Sequence, residues 1–191
     1  MRRLTYFIAL SIDGFIAGPD DEVEFYPYTD AYSARMIETL PDVLPVHVRR
    51  QLGIDDERNR TFDTVIMGRR TYQPALDAGV TSPYPHLRQY VVSTMQAELD
   101  PAVTVVRADP VALVRELKSE DSPLDVYLAG GGVLAGALLD EIDRLVVKLY
   151  PVVAGSGLPA FGSVGFRPTT FDLTDVVTFD GGNAVLTYDR V

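Results

Sequence analysis

The sequence contains no cysteine and only two histidines among its 191 residues. Without cysteine the chain has no disulfide framework and no thiolate chemistry. The histidines, His47 and His86, have metal-ligand spacing neither with each other nor with a pair of carboxylates. We therefore expect no structural or catalytic zinc site and no other bound metal.

Long apolar runs are also absent, because no stretch approaches the roughly 20 residues that a membrane-spanning helix needs. Two arginines followed by an apolar run at residues 4–10 superficially suggest a signal peptide. That run is short, includes Thr5 and Tyr6, and is not followed by a small-residue cleavage site. We expect a first core strand here, in a cytoplasmic protein that contacts no membrane.

Basic residues are outnumbered, with 17 lysines and arginines against 27 acidic residues and a net charge of −10. A phosphate backbone requires a basic face, so this balance argues against nucleic acid as a partner. A small phosphorylated ligand remains compatible with it, since a locally basic pocket can hold one anion. The hydrophobic content of 47% and the length are typical of one soluble domain, which we expect to cover residues 1–191.

Apolar strands and amphipathic helices alternate along most of the chain. Strands are predicted at residues 4–11, 63–67, 90–94, 103–107, 126–129, 144–153, 171–179 and 184–189. Helical spacing occurs at residues 31–52, where Pro41 and Pro45 break a single long helix, and after each of the glycine turns described below. Residues 74–85 are predicted as a loop, and residues 110–118 as a helix.

This pattern predicts an α/β fold with three layers, α/β/α, around a mainly parallel central sheet of about eight strands. The last two strands are joined by the sequence Asp-Gly-Gly-Asn at residues 180–183, which is typical of a β-hairpin. We therefore expect an antiparallel C-terminal hairpin at one edge of the sheet.

Two strand-to-helix turns have features that favour an anion. Residues 126–139 combine a strand, three glycines at residues 130–132 and a helix, so a ligand can approach the backbone closely and face free N–H groups. The alternative is a tight turn that needs glycine only for its φ angles. The second turn, at Gly68, is followed by Arg69, Arg70 and Thr71, which can converge on one anion.

A third strand ends in two hydroxyl residues, Ser93 and Thr94. Carboxyl ends of parallel strands lie at one edge of a sheet, and several anion-friendly turns at one edge suit a dinucleotide better than a single phosphate. The glycine run also matches the Gly-x-Gly-x-x-Ala form of the Rossmann fingerprint. A Rossmann fold places that motif on its first βαβ unit, so its late position here argues against one.

The loop after the first strand contains two candidate catalytic residues, Ser11 and Asp13. An Asp before a Gly more often holds an Asx turn, so both roles of Asp13 stay open. Four arginines follow the proline-broken helical region, and they form either a solvated basic face or an anchor for a substrate phosphate. They are Arg49, Arg50, Arg58 and Arg60.

Several of these segments together resemble the dihydrofolate reductase superfamily. The segments are ALSIDG at residues 9–14, VIMGRRTY at 65–72, VVST at 91–94 and AGGG at 129–132. Two more, LLDEIDRL at residues 138–145 and PVVAGSG at 151–157, are similar to the reductase domain of the bacterial riboflavin deaminase-reductase. The resemblance implies a dihydrofolate reductase-like fold across residues 4–161.

The resemblance further implies NADPH as the hydride donor. The turn at Gly68, with Arg69, Arg70 and Thr71, would hold the cofactor's phosphates. The two arginines would lie near the adenosine 2′-phosphate together with Ser93 and Thr94, and the turn from Gly130 to Leu134 would receive the pyrophosphate. The loop after Gly14 would close over the reacting ring, and Ser11 would flank the nicotinamide. The implied cofactor-binding residues are Ala9, Gly68, Arg69, Arg70, Thr71, Ser93, Thr94, Gly130, Gly131, Gly132, Val133 and Leu134.

The residues expected to contact the substrate differ from those of the riboflavin enzymes. Phe7 stands where they carry a lysine on the first strand, and Ala129 stands where they carry a glutamate before the glycine run. Dihydrofolate reductases use a carboxylate on the first helix to assist protonation, and here Asp30, Glu38 and Asp42 are candidates without a matching motif.

The expected activity is reduction of a pyrimidine- or pterin-like heterocycle, most like that of 5-amino-6-(5-phosphoribosylamino)uracil reductase. Dihydrofolate reductase-type activity on another substrate, and a non-catalytic NADPH-binding module, remain as alternatives. Proteins that share this fold are often homodimers, so pairing of the apolar late strands between subunits is a further expectation.

Overall fold

The computed structural model describes residues 1–162 and 164–191. Within these ranges the strands are β1 (Leu4–Ser11), β2 (Phe15–Ala17), β3 (Phe62–Gly68), β4 (Arg88–Val92), β5 (Val103–Val106), β6 (Asp125–Gly130), β7 (Arg144–Tyr150), β8 (Leu158–Pro159), β9 (Phe171–Thr178) and β10 (Ala184–Arg190). The helices are α1 (Asp30–Thr39), α2 (Val46–Leu52), α3 (Arg69–Asp77), α4 (Pro110–Ser119) and α5 (Gly132–Ala137). Short 3-10 turns lie at Pro41–Val43 and Leu139–Glu141.

Eight strands form one central sheet in the order β5-β4-β3-β6-β1-β7-β10-β9. The first six run parallel, and β10 pairs antiparallel with both β7 and β9. This arrangement confirms the predicted α/β fold with its antiparallel C-terminal hairpin. β1 lies inside the sheet between β6 and β7, which explains why its sequence is almost continuously apolar.

The side chains of β1 alternate between the two layers of the core. Tyr6 packs with Leu128 on one face, beneath helices α4 and α5. Phe7 packs with Tyr127 on the other face, where α1 and α3 also contribute side chains. Successive residues of the strand therefore alternate between two hydrophobic clusters, one on each face of the sheet. The sheet is thus covered on both faces.

The predicted loop at residues 74–85 is wrong for its first four residues, which belong to α3. Pro74 lies inside this helix and removes one helical hydrogen bond. Tyr72 and Leu76, four residues apart, both pack into the core, so tertiary burial compensates for the lost bond. The helix ends before Gly79, which has a φ of +74° and donates to the carbonyl of Leu76 at 2.9 Å.

Two charged residues, Asp42 and the α2 residue Arg49, are buried and bind backbone groups of the protein itself. Asp42 is fully buried, and its Oδ2 accepts hydrogen bonds from the backbone N–H groups of Arg60, Thr61 and Phe62 at 2.9, 2.7 and 3.0 Å. Arg49 is also buried, and its guanidinium donates to backbone carbonyl groups rather than to an anion. The two alternatives considered for Arg49, a solvated face and a phosphate anchor, are therefore both wrong.

No helix among residues 1–162 and 164–191 is long and apolar enough to cross a membrane. At one side of the sheet β9 is an edge strand, and most of its residues are exposed. Leu173 and Val176 on this strand are each about half exposed, at 53% and 48%.

Candidate functional site

Two glycine turns meet where strands β3 and β6 end. These strands are neighbours in the parallel sheet, so Gly68 and Gly130 lie at the same edge, outside which ligands bind in open α/β sheets. A Cβ added to Gly68 would lie 3.7 Å from both the carbonyl O of Gly130 and the N of Gly131. The two turns therefore form one continuous backbone surface.

The helices that leave these turns have no side-chain caps. α3 begins after Gly68 and α5 begins after Gly131, and no side chain accepts a hydrogen bond from either helix N-terminus. By contrast, Thr29 caps α1 and Asp109 caps α4. Because the first N–H groups of a helix lack intrahelical acceptors, the uncapped ends of α3 and α5 leave donors available for an anionic ligand.

Side chains of α3 surround this backbone surface. Thr71 Oγ1 would lie 3.7 Å from a Cβ placed on Gly131, so its hydroxyl faces the turn at residues 130–132. Arg70 forms an exposed ion pair with Asp21 at 2.7 Å, which ties the loop after β2 to the helix. Arg69 is exposed and has no ion pair among the described residues. Of the two arginines, Arg69 therefore remains available to a ligand.

The hydroxyl residues after β4, Ser93 and Thr94, lie in a turn at the same edge, and the side chain of Ser93 stabilises that turn. Ser93 Oγ accepts hydrogen bonds from the N–H groups of Met95 and Gln96, both at 3.1 Å, and Thr94 is exposed. Arg107, which follows β5, donates to the carbonyl of Gln96 at 3.1 Å. Arg107 could not be selected from its sequence neighbours, because only the pairing of β4 with β5 brings it to this turn.

Ser11 and Asp13 belong to a hydrogen-bond network that fixes the loop after β1. Ser11 Oγ donates to Asp13 at 2.7 Å and accepts from the N–H of Phe15. The Asp13 carboxylate also accepts from the N–H groups of Ala154 and Gly155, at 2.9 and 2.7 Å. These donors, Ala154 first and Ser11 next, lower the pKa of Asp13 to about 2, so the carboxylate is ionised at neutral pH and holds two loops together.

Replacing Asp13 with Asn should loosen this contact between loops. Asn keeps one oxygen but loses the charge and the second acceptor, so the amides of Ala154 and Gly155 should exchange with deuterium faster at pH 7. In the unaltered protein the folded-state pKa lies below the ordinary value of 3.8. The protection should therefore be present above pH 4 and decline between pH 4 and 2. Asp20→Asn, in the exposed loop after β2, is the control, and equal exchange in both variants would contradict the assignment.

Strands β1 and β7 carry aromatic side chains and one amine near the same edge, on the face of the sheet that α1 covers. Lys148 on β7 is half-buried, and its Nζ lies 4.3 Å from the centre of the Phe7 ring. Above them, Tyr32 of α1 and Tyr150 of β7 share a buried hydrogen bond between hydroxyl groups at 2.9 Å. Burial without any compensating charge lowers the pKa of Lys148 to about 8.

The three carboxylates considered as proton donors have different environments. Asp30 is an exposed residue in the first turn of α1, and Glu38 is exposed and paired with Arg35. Asp42 binds backbone N–H groups ahead of β3, near the amino end of the parallel strands. Among the described residues, no cluster of three or more His, Cys, Asp or Glu side chains could hold a metal ion.

Comparison with known proteins identifies a family. The sequence model of the RibD C-terminal domain family matches residues 2–185. The uncharacterized protein YwjB of Bacillus subtilis is 28% identical over 163 residues, which cover 84% of this chain and 83% of that protein.

Solved structures share the fold. A protein from Shewanella sp. PV-4, provisionally assigned to riboflavin biosynthesis, has a TM-score of 0.71 at 22% identity and 99% coverage of both chains. The deaminase/5-amino-6-(5-phosphoribosylamino)uracil reductase of Thermotoga maritima has a TM-score of 0.67 at 17% identity, and the match spans this whole chain but 57% of that one. Dihydrofolate reductase of Enterococcus faecalis, complexed with NADP(H), has a TM-score of 0.61 at 16% identity, with 98% and 96% coverage. The fold is therefore dihydrofolate reductase-like.

Proposed function

The chain belongs to the RibD C-terminal domain family, and from this premise we propose that it is an NADPH-dependent reductase of a pyrimidine- or pterin-like heterocycle. The family and the shared fold support an oxidoreductase of the RibD type. Within that class the activity proposed is most like that of 5-amino-6-(5-phosphoribosylamino)uracil reductase.

The observation that carries the proposal is the pair of adjoining glycine turns with uncapped helices. A dinucleotide has two linked phosphates and therefore needs more than one group of N–H donors close together. The ends of α3 and α5 supply such groups, and the two turns lie so close together that a Cβ on Gly68 would come within 3.7 Å of the Gly130 carbonyl O. A side chain at Gly68 would therefore occupy the space between the turns.

The residues present fit an NADPH molecule as follows. Gly68, Thr71 and the segment from Gly130 to Leu134 would hold the phosphates, and Ala9 with Ser11 would flank the nicotinamide. Bound NADPH would supply the hydride, while the protein would orient the two reactants and exclude water. Arg69, Ser93 and Thr94 would lie near the 2′-phosphate, and the position of Arg107 beside the Ser93 turn supports the same assignment.

Arg69→Ala should abolish the preference for NADPH over NADH. A hydrogen bond from arginine to phosphate contributes about 1.5–3 kcal/mol, so NADPH affinity should fall roughly 10- to 100-fold. Affinity for NADH, which lacks the 2′-phosphate, should change little. Calorimetric titration of both nucleotides, together with the melting temperature at saturation, measures the effect.

Arg50→Ala provides the matched control, since Arg50 on α2 is also exposed and has no ion pair among the described residues. It should leave both affinities unchanged. A wild-type chain that binds neither nucleotide would contradict the proposed function. An Arg69→Ala protein that still prefers NADPH would contradict the proposed role of Arg69.

A non-catalytic NADPH-binding module is the second candidate, because Phe7 and Ala129 replace charged residues of the riboflavin enzymes. Stopped-flow oxidation of bound NADPH across a panel of heterocycles separates the two. Any substrate-dependent hydride transfer excludes the non-catalytic module.

We also propose that the protein is a cytoplasmic homodimer. The exposed apolar side chains of Leu173 and Val176 on edge strand β9 support pairing between subunits, since an unpaired edge strand readily binds another chain.

A further inference from the structure

The chain contains two lysines, which have opposite environments. Lys118 on α4 forms an ion pair with Asp143 at 2.7 Å and also donates to the carbonyl of Glu141. Lys148 on β7 has no ion pair and no hydrogen bond among the described residues. A basic side chain without a partner is common on the exposed surface of a protein. Lys148 is different, because it is half-buried.

The neighbours of Lys148 within the sheet are apolar or aromatic. Its neighbours across the sheet are Ala9 on β1 and Val185 on β10. Val146 and Tyr150 precede and follow it on the same face of β7, and its amine lies over the ring of Phe7. No carboxylate pairs with it among the described residues.

An amine in this environment reduces stability, because burial disfavours its charged form and no partner compensates. The lowered pKa of about 8 expresses the same cost. A cation–π contact with Phe7 offsets only part of it. A methionine would fill the space without that cost, so the position suggests a functional reason for the amine.

The strand register places Lys148 beside the proposed reacting group. Lys148 pairs with Ala9, the residue proposed to flank the nicotinamide, and adjacent strands lie about 4.8 Å apart. Both residues lie within three positions of the carboxyl end of their strands, toward the edge that contains the glycine turns. The amine is therefore on the substrate side of the proposed cofactor site.

Resting on the proposed function, we propose that Lys148 contacts the substrate and recognises a polarised C=N or C=O bond carried by a pyrimidine- or pterin-like compound, to which it supplies the proton during reduction. The acceptor carbon gains a hydride from the nicotinamide, which becomes oxidised, and the acceptor nitrogen or oxygen gains a proton from the ammonium group. Water then returns a proton to the amine. An ammonium group at this point disfavours a substrate that must bind as a cation, such as a protonated pterin ring.

Lys148→Met tests this role. The variant should fold and keep the NADPH-induced rise in melting temperature, because the glycine turns are unchanged. Its kcat for NADPH oxidation with 5-amino-6-(5-phosphoribosylamino)uracil should fall about 100-fold or more, the size expected for loss of a proton donor. Lys148→Arg keeps the charge but donates protons poorly, so it should recover substrate KM more than kcat. Lys118→Arg serves as the control and should behave as wild type.

A spectroscopic readout does not depend on turnover. Reductive methylation with ¹³C-formaldehyde labels the two lysines and the N-terminus, and the signal absent from Lys148→Met identifies Lys148. With NADP⁺ bound, that signal should shift on adding the uracil compound, while the Lys118 signal stays in place; dihydrofolate should produce a smaller shift.

The possible failures are distinguishable. If the wild type binds neither nucleotide, the proposed function fails and the role of Lys148 fails with it. If NADPH binds but the Lys148 signal is unmoved by both heterocycles, or if Lys148→Met retains wild-type kcat, only the role of Lys148 is overturned.

Discussion

Gly132→Ala should lower the melting temperature by about 5–10 °C, because the first residue of α5 has no room for a side chain. A Cβ at this position would lie 2.0 Å from the carbonyl O of Pro159 and 3.2 Å from the N of Gly162. Both are backbone atoms, and Gly162 donates a hydrogen bond to the Gly132 carbonyl at 2.9 Å. Helix α5 and the segment from Pro159 to Gly162 must therefore separate for the methyl group to fit.

The same displacement should weaken nucleotide binding, since the N-terminus of α5 is part of the proposed pyrophosphate site. Differential scanning calorimetry with and without NADPH measures both effects. Gly165→Ala is the matched control, because a Cβ there meets no atom within 4 Å. A Gly132→Ala protein with unchanged melting temperature would contradict this close packing.

Asp42→Ala should reduce the free energy of unfolding by about 3–5 kcal/mol. One buried carboxylate oxygen satisfies three consecutive backbone N–H groups ahead of β3, and each buried donor left without an acceptor costs about 1–3 kcal/mol. Partial rearrangement of the segment at residues 60–62 should limit the total. Urea unfolding measures the change, with the m-value as a check on two-state behaviour.

Asp42→Asn is the informative comparison, because the amide keeps one oxygen for these donors. We expect a smaller loss of stability than in Asp42→Ala and no change in the preference for NADPH. If Asp42→Ala kept full stability but lost turnover, the carboxylate would instead be part of the active site.

The turns at the candidate site were accessible from sequence, because their residues are neighbours along the chain. The Gly68 turn and the glycine run at residues 130–132 each combine a strand, a glycine and a helix within a few residues. Their local backbone requirements are visible without knowing the fold. The resemblance of ordered motifs then indicated the family to which the chain belongs, and the assignment of individual cofactor residues stays a prediction.

Contacts between distant segments were not accessible in this way. Asp13 binds the N–H groups of Ala154 and Gly155, about 140 residues later, and nothing in the Asp-Gly sequence distinguishes this contact from a local Asx turn. Asp42 was a candidate proton donor by residue type alone. Only the tertiary structure shows that its carboxylate is buried and accepts hydrogen bonds from three backbone N–H groups. The helical conformation of residues 74–77 likewise depends on burial of Leu76, which outweighs the local effect of Pro74.

The sequence by itself determined the alternation of strands and helices, the C-terminal hairpin and the two glycine turns, because side-chain periodicity and glycine conformation are local properties. The tertiary structure decided which turns adjoin and which charged groups remain free. Strand order places Gly68 beside Gly130, and strand register places Lys148 beside Ala9 and over Phe7. These contacts join residues that are about 60 to 140 positions apart, so they depend on packing of the whole sheet rather than on any one stretch of sequence.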